Sequence, residues 1–77
     1  MPTQTCTLYS PTHRYDDGVV DDIETALGVV GLPNDAVQID FDMTRTRFAY
    51  VTELPSRKSL VKFRRALGPQ LRRLERN

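Results

Sequence analysis

The feature that most restricts the fold is an alternation of apolar and polar side chains between residues 37 and 52. In the first half of this stretch, every second residue is apolar: Val37, Ile39, Phe41 and Met43. An alternation with a period of two is typical of a β-strand that buries one face. A chain with this segment must therefore form a sheet and must cover one side of it.

A short turn separates this strand from a second one, so the stretch is predicted to form an antiparallel hairpin. A two-residue turn at Thr44-Arg45 gives the following pairs: Phe41 with Phe48, Ile39 with Tyr50, and Asp42 with Arg47. This register places the large apolar residues in the core and an Asp42–Arg47 ion pair on the other face. Because Thr-Arg is not a preferred two-residue turn, a four-residue loop is the alternative.

Two elements are predicted before the hairpin. Residues 5–9 form a strand in which Cys6 and Leu8 share one face, and residues 10–18 form a loop. Residues 19–30 have the apolar spacing of a helix, with Asp16 or Asp17 as the candidate cap. Gly31 supplies a left-handed stop signal at the end of that helix.

A second helix is predicted over residues 56–76. Its apolar residues lie on one stripe: Leu60, Phe63, Leu67, Leu71 and Leu74. Gly68-Pro69 interrupts the pattern, and proline both lacks an N–H and crowds the preceding turn. We therefore expect a kink or two short helices at this point.

The element order β-α-β-β-α predicts an α+β fold with a three-stranded sheet and both helices packed on one face. The sheet side of the core is expected to come from Cys6, Leu8, Val37, Ile39, Phe41, Met43, Phe48 and Tyr50. A crossover between the first two strands should be right-handed if those strands are parallel.

The length of 77 residues predicts one domain, with residues 1–4 and 75–77 frayed. The single cysteine, Cys6, leaves this small core without an internal disulfide, which favours a reducing compartment. No apolar run approaches the length of a membrane helix, and the first residues do not resemble a signal peptide. We expect a cytoplasmic protein, in the host cytoplasm if the chain is viral, without a membrane partner.

The charges are divided unequally along the chain. Residues 1–54 hold three basic and nine acidic side chains, a net charge of −6, whereas residues 55–77 hold eight basic and one acidic, a net charge of +7. Such a division indicates charge-directed association.

No pattern of catalytic, cofactor-binding or metal-binding residues is found, so we predict that the protein is not an enzyme and has no cofactor. Cys6 and His13 are the only candidates for nucleophilic catalysis, and Cys6 lies on the apolar face of a strand. A metal site formed by His13 with Asp16, Asp17, Asp21 and Asp22 lacks the spacing of a calcium loop, and these aspartates are explained by the cap and first turns of the helix. The four glycines form no phosphate-binding loop.

The aspartates are better explained as surface charges. Asp40 and Asp42 point the same way from one strand, and paired carboxylates of this kind can hold Mg²⁺. The favoured interpretation is an exposed sheet face, because Asp42 has a cross-strand basic neighbour. A secondary acidic surface is predicted at four residues: Asp21, Asp22, Asp40 and Asp42.

The basic side of the second helix is the strongest functional signal. If the helix is continuous, six side chains lie opposite the leucine stripe: Lys58, Lys62, Arg65, Arg72, Arg73 and Arg76. We predict that this surface binds a protein partner, in a small regulator or a phage-type inhibitor, the latter by analogy of size alone. Binding of DNA or RNA is the first alternative, and self-assembly of acidic and basic halves is the second. A fourth interpretation is that these charges pair with the acidic first helix.

Overall fold

The computed structural model describes residues 3–68, 70 and 71, and its elements follow the predicted order. The strands are β1 (Gln4–Tyr9), β2 (Val37–Asp42) and β3 (Arg47–Leu54), and the helices are α1 (Asp17–Val29) and α2 (Arg57–Leu67). One short element, the 3₁₀ helix Asn34–Ala36 before β2, was not predicted. The predicted α+β fold is confirmed.

The sheet has the order β1-β3-β2, so the last strand in the chain is the central one. β3 pairs antiparallel with both neighbours. β1 and β2 are consequently parallel to each other without touching, and α1 lies in the connection between them. β1 and β2 are the two edges of the sheet.

The hairpin has the predicted register. Phe41 pairs with Phe48 and Ile39 pairs with Tyr50. The loop between the strands has four residues, 43–46, which is the alternative to the two-residue turn. Thr46 has a φ of 51°, so the loop closes through one residue in the left-handed region.

The sheet has two different sides because side chains alternate along each strand. We call the side that carries Leu8, Tyr50 and Ile39 the packed face, because the helices lie over it. The other side, which carries Thr7, Ala49 and Asp40, is the open face. Contacts of α2 with the sheet are made to β1 and β3.

Local chemistry explains where α1 begins and ends. Asp16 is its cap, and the carboxylate Oδ1 accepts hydrogen bonds from the backbone N–H groups of Gly18 at 2.9 Å and Val19 at 3.2 Å. The N–H of Asp16 itself donates to the hydroxyl of Tyr50 at 3.4 Å. Gly31 follows the helix with a φ of 78°, as the stop signal predicted.

The second helix is shorter than the leucine stripe. Ser56 caps α2 by accepting a hydrogen bond from the backbone N–H of Ser59 at 3.2 Å. The helix ends at Leu67, and Gly68 has a φ of 64°. The predicted interruption at Gly68 is therefore confirmed. Glycine adopts this left-handed backbone conformation without steric cost.

The core lies between the packed face and the two helices. Its largest fully buried side chains are Tyr50, Phe63, Leu8, Ile23, Leu27 and Leu54. Burial raises the pKa of the Tyr50 hydroxyl, which keeps the side chain neutral. Of the leucine stripe, Phe63 and Leu67 are buried and Leu60 and Leu71 are half-buried, whereas Leu74 lies outside the described residues.

The prediction that Ile39, Phe41 and Met43 belong to the core is wrong. Their exposed fractions are 38%, 42% and 79%. β2 is an edge strand, and the main contacts of α2 with the sheet are made to β1 and β3, so α2 leaves the outer apolar row largely uncovered. Met43 lies in the hairpin loop, beyond the end of the strand.

These exposures predict unequal costs for two phenylalanines. Phe63→Ala should lower the free energy of unfolding by about 3–5 kcal/mol, since it removes a fully buried ring. Phe41→Ala should cost only about 1–2 kcal/mol, because the ring is already partly in water. Urea denaturation of the two variants measures both values. Equal losses would contradict the placement of Phe41 at an uncovered edge.

The burial of Cys6 predicts low reactivity of its thiol. The residue is 5% exposed on the packed face, so a thiol reagent should label it slowly in the folded protein and quickly in denaturant. Labelling with a chromogenic disulfide, with and without urea, measures the ratio. Rapid labelling of the folded protein would contradict the buried position.

Candidate interaction surfaces

The first surface is the exposed side of α2, which we call the basic face and define as Lys58, Lys62 and Arg65. These residues are separated by four and three positions, so they lie on one stripe of the helix. All three are exposed, whereas Phe63 and Leu67 on the opposite side are buried. The predicted separation of apolar and basic sides is therefore present over this part of the helix.

The cations of the basic face have no acidic partner on α1. Among ion pairs between described residues, the structure has one, between Arg45 and Asp42, and it lies in the hairpin loop. The interpretation that the basic face is neutralised by the first helix is therefore wrong for Lys58, Lys62 and Arg65. No ion pair with a described carboxylate offsets the repulsion between neighbouring cations on this face, which costs a few tenths of a kcal/mol per pair.

Apolar side chains lie among these cations. Val61 on α2 is 46% exposed and Val29 at the end of α1 is 55% exposed. A shallow depression of about 400 Å³ is lined by Val29, Ala66 and two residues of the basic face, Lys62 and Arg65. The surface thus offers both charge and uncovered apolar area.

The rest of the predicted basic surface falls outside the described residues: Arg72, Arg73 and Arg76. The break after Leu67 ends the continuous helix on which their alignment with the basic face depended.

The predicted acidic residues do not form one surface. Asp21 and Asp22 lie on α1, which packs over the packed face of the sheet. Asp40 and Asp42 alternate with Ile39 and Phe41, and so lie on the open face. The sheet therefore separates the two pairs of carboxylates.

Asp42 organises the hairpin loop. Its Oδ1 accepts hydrogen bonds from the backbone N–H groups of Thr44 at 2.9 Å and Arg45 at 3.2 Å. Its Oδ2 accepts one from Nη1 of Arg45 at 3.1 Å. The backbone hydrogen bond from Arg45 is the largest cause of a lowered pKa at Asp42. The Arg45 guanidinium also lies 4.7 Å from the centre of the Tyr9 ring.

The predicted Asp42–Arg47 ion pair is wrong, although the two residues are register partners. The four-residue loop brings Arg45 back over the carboxylate, and the two loop amides fix the carboxylate towards the loop. Asp42 therefore has a structural role. Asp40 is exposed and forms no ion pair with any residue of the described ranges.

A second surface was not predicted from the sequence. We call it the edge patch and define it as Tyr15, Ile39, Phe41 and Phe48. The ring of Phe48 contacts Phe41, with centroids 5.1 Å apart, and Tyr15, with centroids 5.5 Å apart, both edge to face. Tyr15 is 46% exposed, so the patch presents aromatic and aliphatic surface beside the open edge of β2. The apolar residues of β2 were visible in the sequence, but they indicate an exposed patch only once the strand order places β2 at the edge of the sheet.

Residues considered for catalysis or metal binding are placed apart. Cys6 is buried in the core and His13 is exposed in the loop after β1. Within residues 3–68, 70 and 71, no group of three His, Cys, Asp or Glu side chains is arranged to hold a metal ion. In the same part of the chain, no helix has the length and apolar character needed to span a membrane.

Comparison with known proteins adds no relationship: no family model matches the chain, and neither does any curated protein or solved structure.

The hairpin loop predicts a pH-dependent signal. Because the folded-state pKa of Asp42 is lowered, its ionised form stabilises the loop above the ordinary value of 3.8, and this contribution is lost as the pH falls through the lower value. The amide proton shifts of Thr44 and Arg45 should therefore titrate with a midpoint below 3.8 by NMR. Asp42→Asn, which keeps an acceptor oxygen, should abolish that titration. A midpoint at or above 3.8 would contradict the hydrogen bonds to Oδ1.

Proposed function

We propose that this protein is a non-enzymatic protein-binding module that docks the basic face of α2 against an acidic surface of a partner. The observation that carries the proposal is the exposure of Lys58, Lys62 and Arg65 without an ion pair to any carboxylate of the described residues. Binding to an acidic surface would relieve their mutual repulsion.

The fold does not need these charges. α2 is held by Phe63 and Leu67 in the core and by the Ser56 cap. Lys58 lies in the first turn, where the positive end of the helix dipole disfavours a cation. Arg65 lies in the last turn, where the dipole favours a cation, so the charges that gain nothing from the fold are those of Lys58 and Lys62.

A protein is favoured over a nucleic acid because apolar area lies among the cations. Val29 and Val61 are about half exposed, and protein interfaces combine such area with charge at the rim. Among the described residues, none of the basic face has an aromatic ring stacked beside it, whereas surfaces that bind single strands use such rings. The proposed role is that of a small regulator or inhibitor, acting in the cytoplasm, where a lone cysteine stays reduced.

The test removes the charges without changing the fold. Lys58→Gln, Lys62→Gln and Arg65→Gln together should leave the free energy of unfolding unchanged or slightly raised, since repulsion within the helix is removed. The same variant should weaken capture of the partner from a nuclease-treated lysate of the source cell by at least about tenfold, or about 1.4 kcal/mol. Quantitative mass spectrometry measures the capture.

A charge-conserving variant is the matched control. Lys58→Arg, Lys62→Arg and Arg65→Lys should retain capture, because charge and not side-chain shape is recognised. Capture by the wild type should also fall as the salt rises above roughly 0.15 M, where the Debye length is about 8 Å. Capture that requires nucleic acid would replace the proposal with the nucleic-acid alternative. Capture that is indifferent to salt and to the glutamine substitutions would refute it.

A further inference from the structure

No strand of the described residues pairs with the outer edge of β2, and the direction of the backbone groups at that edge follows from Ser10. The N–H of Ser10 donates to the carbonyl of Phe48 at 2.9 Å, and the N–H of Phe48 donates to Oγ of Ser10 at 3.1 Å. Both backbone groups of Phe48 therefore point towards β1. Its partner on the other side, Phe41, must then direct its own N–H and C=O away from β3. The same holds at every second residue of β2, which adds Val37 and Ile39.

The residues with open backbone groups are also the ones with uncovered apolar side chains. Ile39 is 38% exposed and Phe41 is 42% exposed, and both belong to the edge patch. A strand added at this edge would pair its backbone with Ile39 and Phe41 and lay its own apolar side chains over the patch. The outer edge of β1 lacks this combination, because its outward backbone groups belong to Thr5, Thr7 and Tyr9, whose side chains lie on the open face.

The open face beside β2 has the opposite character. Asp40 is exposed there and has no ion pair with a described residue. Gln38, on the same face, borders a depression of about 350 Å³ that is also lined by Asp35 and Glu53. Side chains of an added strand that reach this face would meet carboxylates, so cationic ones are favoured.

A second copy of this chain is a poor occupant of the edge. The apolar side chains of the two copies lie on the same side of the joined sheet only when the two β2 strands pair antiparallel, and only a few registers allow this. Phe41 against Phe41 places Asp40 opposite Asp42, and Ile39 against Phe41 places Asp40 opposite Asp40. Ile39 against Ile39 leaves the two Asp40 carboxylates on a diagonal, about 7–8 Å apart. Each of these three registers brings like charges together.

We propose that the outer edge of β2 binds an extended segment of another protein in which apolar residues alternate with lysine or arginine, as a fourth strand of the sheet. The apolar residues cover the edge patch, and the basic residues lie beside Asp40 and the depression on the open face. This site is separate from the basic face and goes beyond the proposed function.

The probe is a capped heptapeptide in which valine and lysine alternate. In an NMR titration, it should shift the amide signals of Val37, Ile39 and Phe41, and not those of α2. Ile39→Thr with Phe41→Thr keeps residues that favour strands and should weaken binding by at least about tenfold. Val61→Thr, at a residue of similar exposure on α2, is the matched control and should bind as the wild type does.

The backbone geometry allows a stricter test. In an antiparallel added strand, valines opposite Ile39 and Phe41 direct their amides towards β2, whereas the lysine amides point away. A peptide N-methylated at the valines should not bind, and one N-methylated at the lysines should bind. Equal binding of the two peptides would overturn strand addition.

The charges are tested by exchange. Asp40→Lys should weaken binding of the valine–lysine peptide and strengthen binding of a valine–glutamate peptide, each by about two- to fivefold. An Asp40→Lys variant that still prefers the valine–lysine peptide as the wild type does would overturn the proposal of a basic partner. Concentration-dependent shifts of the Val37, Ile39 and Phe41 amides without peptide would instead identify a second copy as the occupant. The glutamine variant of the basic face should bind the peptide normally, so this proposal and the proposed function fail independently.

Discussion

Hydrogen bonding of β3 on both of its sides is the constraint on which the rest of the structure depends. The ladder to β2 is local, across a four-residue loop, while the ladder to β1 joins residues far apart in the chain, from Tyr9 with Ala49 to Gln4 with Leu54. The two helices pack against each other over the packed face, where α2 contacts β1 and β3, and the core between helices and sheet buries Leu8, Tyr50 and Leu54. β2 is left at the edge with its apolar row uncovered. The order β1-β3-β2 thus determines both which side chains form the core and which remain exposed in the edge patch.

Much of the fold was predictable because its signals are local. The alternation along β2 and β3 determines the register, since a shift by one residue would exchange the two faces. Asp16, Gly31, Ser56 and Gly68 mark helix ends through hydrogen bonds and backbone conformations that involve only nearby residues. The basic face could be predicted from the 3.6-residue period of a helix and the positions of the charged residues alone.

What the sequence did not predict depends on contacts between distant elements. The pattern of Ile39 and Phe41 is the same in a covered strand and in an edge strand, so their exposure follows only from the order β1-β3-β2. The edge patch was also missed because it depends on contacts between distant elements. Tyr15 contacts Phe48 from the loop between β1 and α1, for which the sequence predicted no contacts. The strand register predicted an ion pair between Asp42 and Arg47. The four-residue loop instead brings Arg45 to Asp42, and the ion pair forms with Arg45.

The position of β1 has a kinetic consequence. β2 and β3 meet after a short loop, so their pairing costs little chain entropy, whereas Gln4 must find Leu54, which lies 50 positions further along the chain. α1 shortens that search once it has formed, because a helix rises only about 1.5 Å per residue. The hairpin is therefore expected to be the early structure and β1 the last strand to be added. Until β1 arrives, the hairpin has two open edges, one on β2 and one on β3. The interval before β1 pairs is when this small chain is most exposed to association with its own copies.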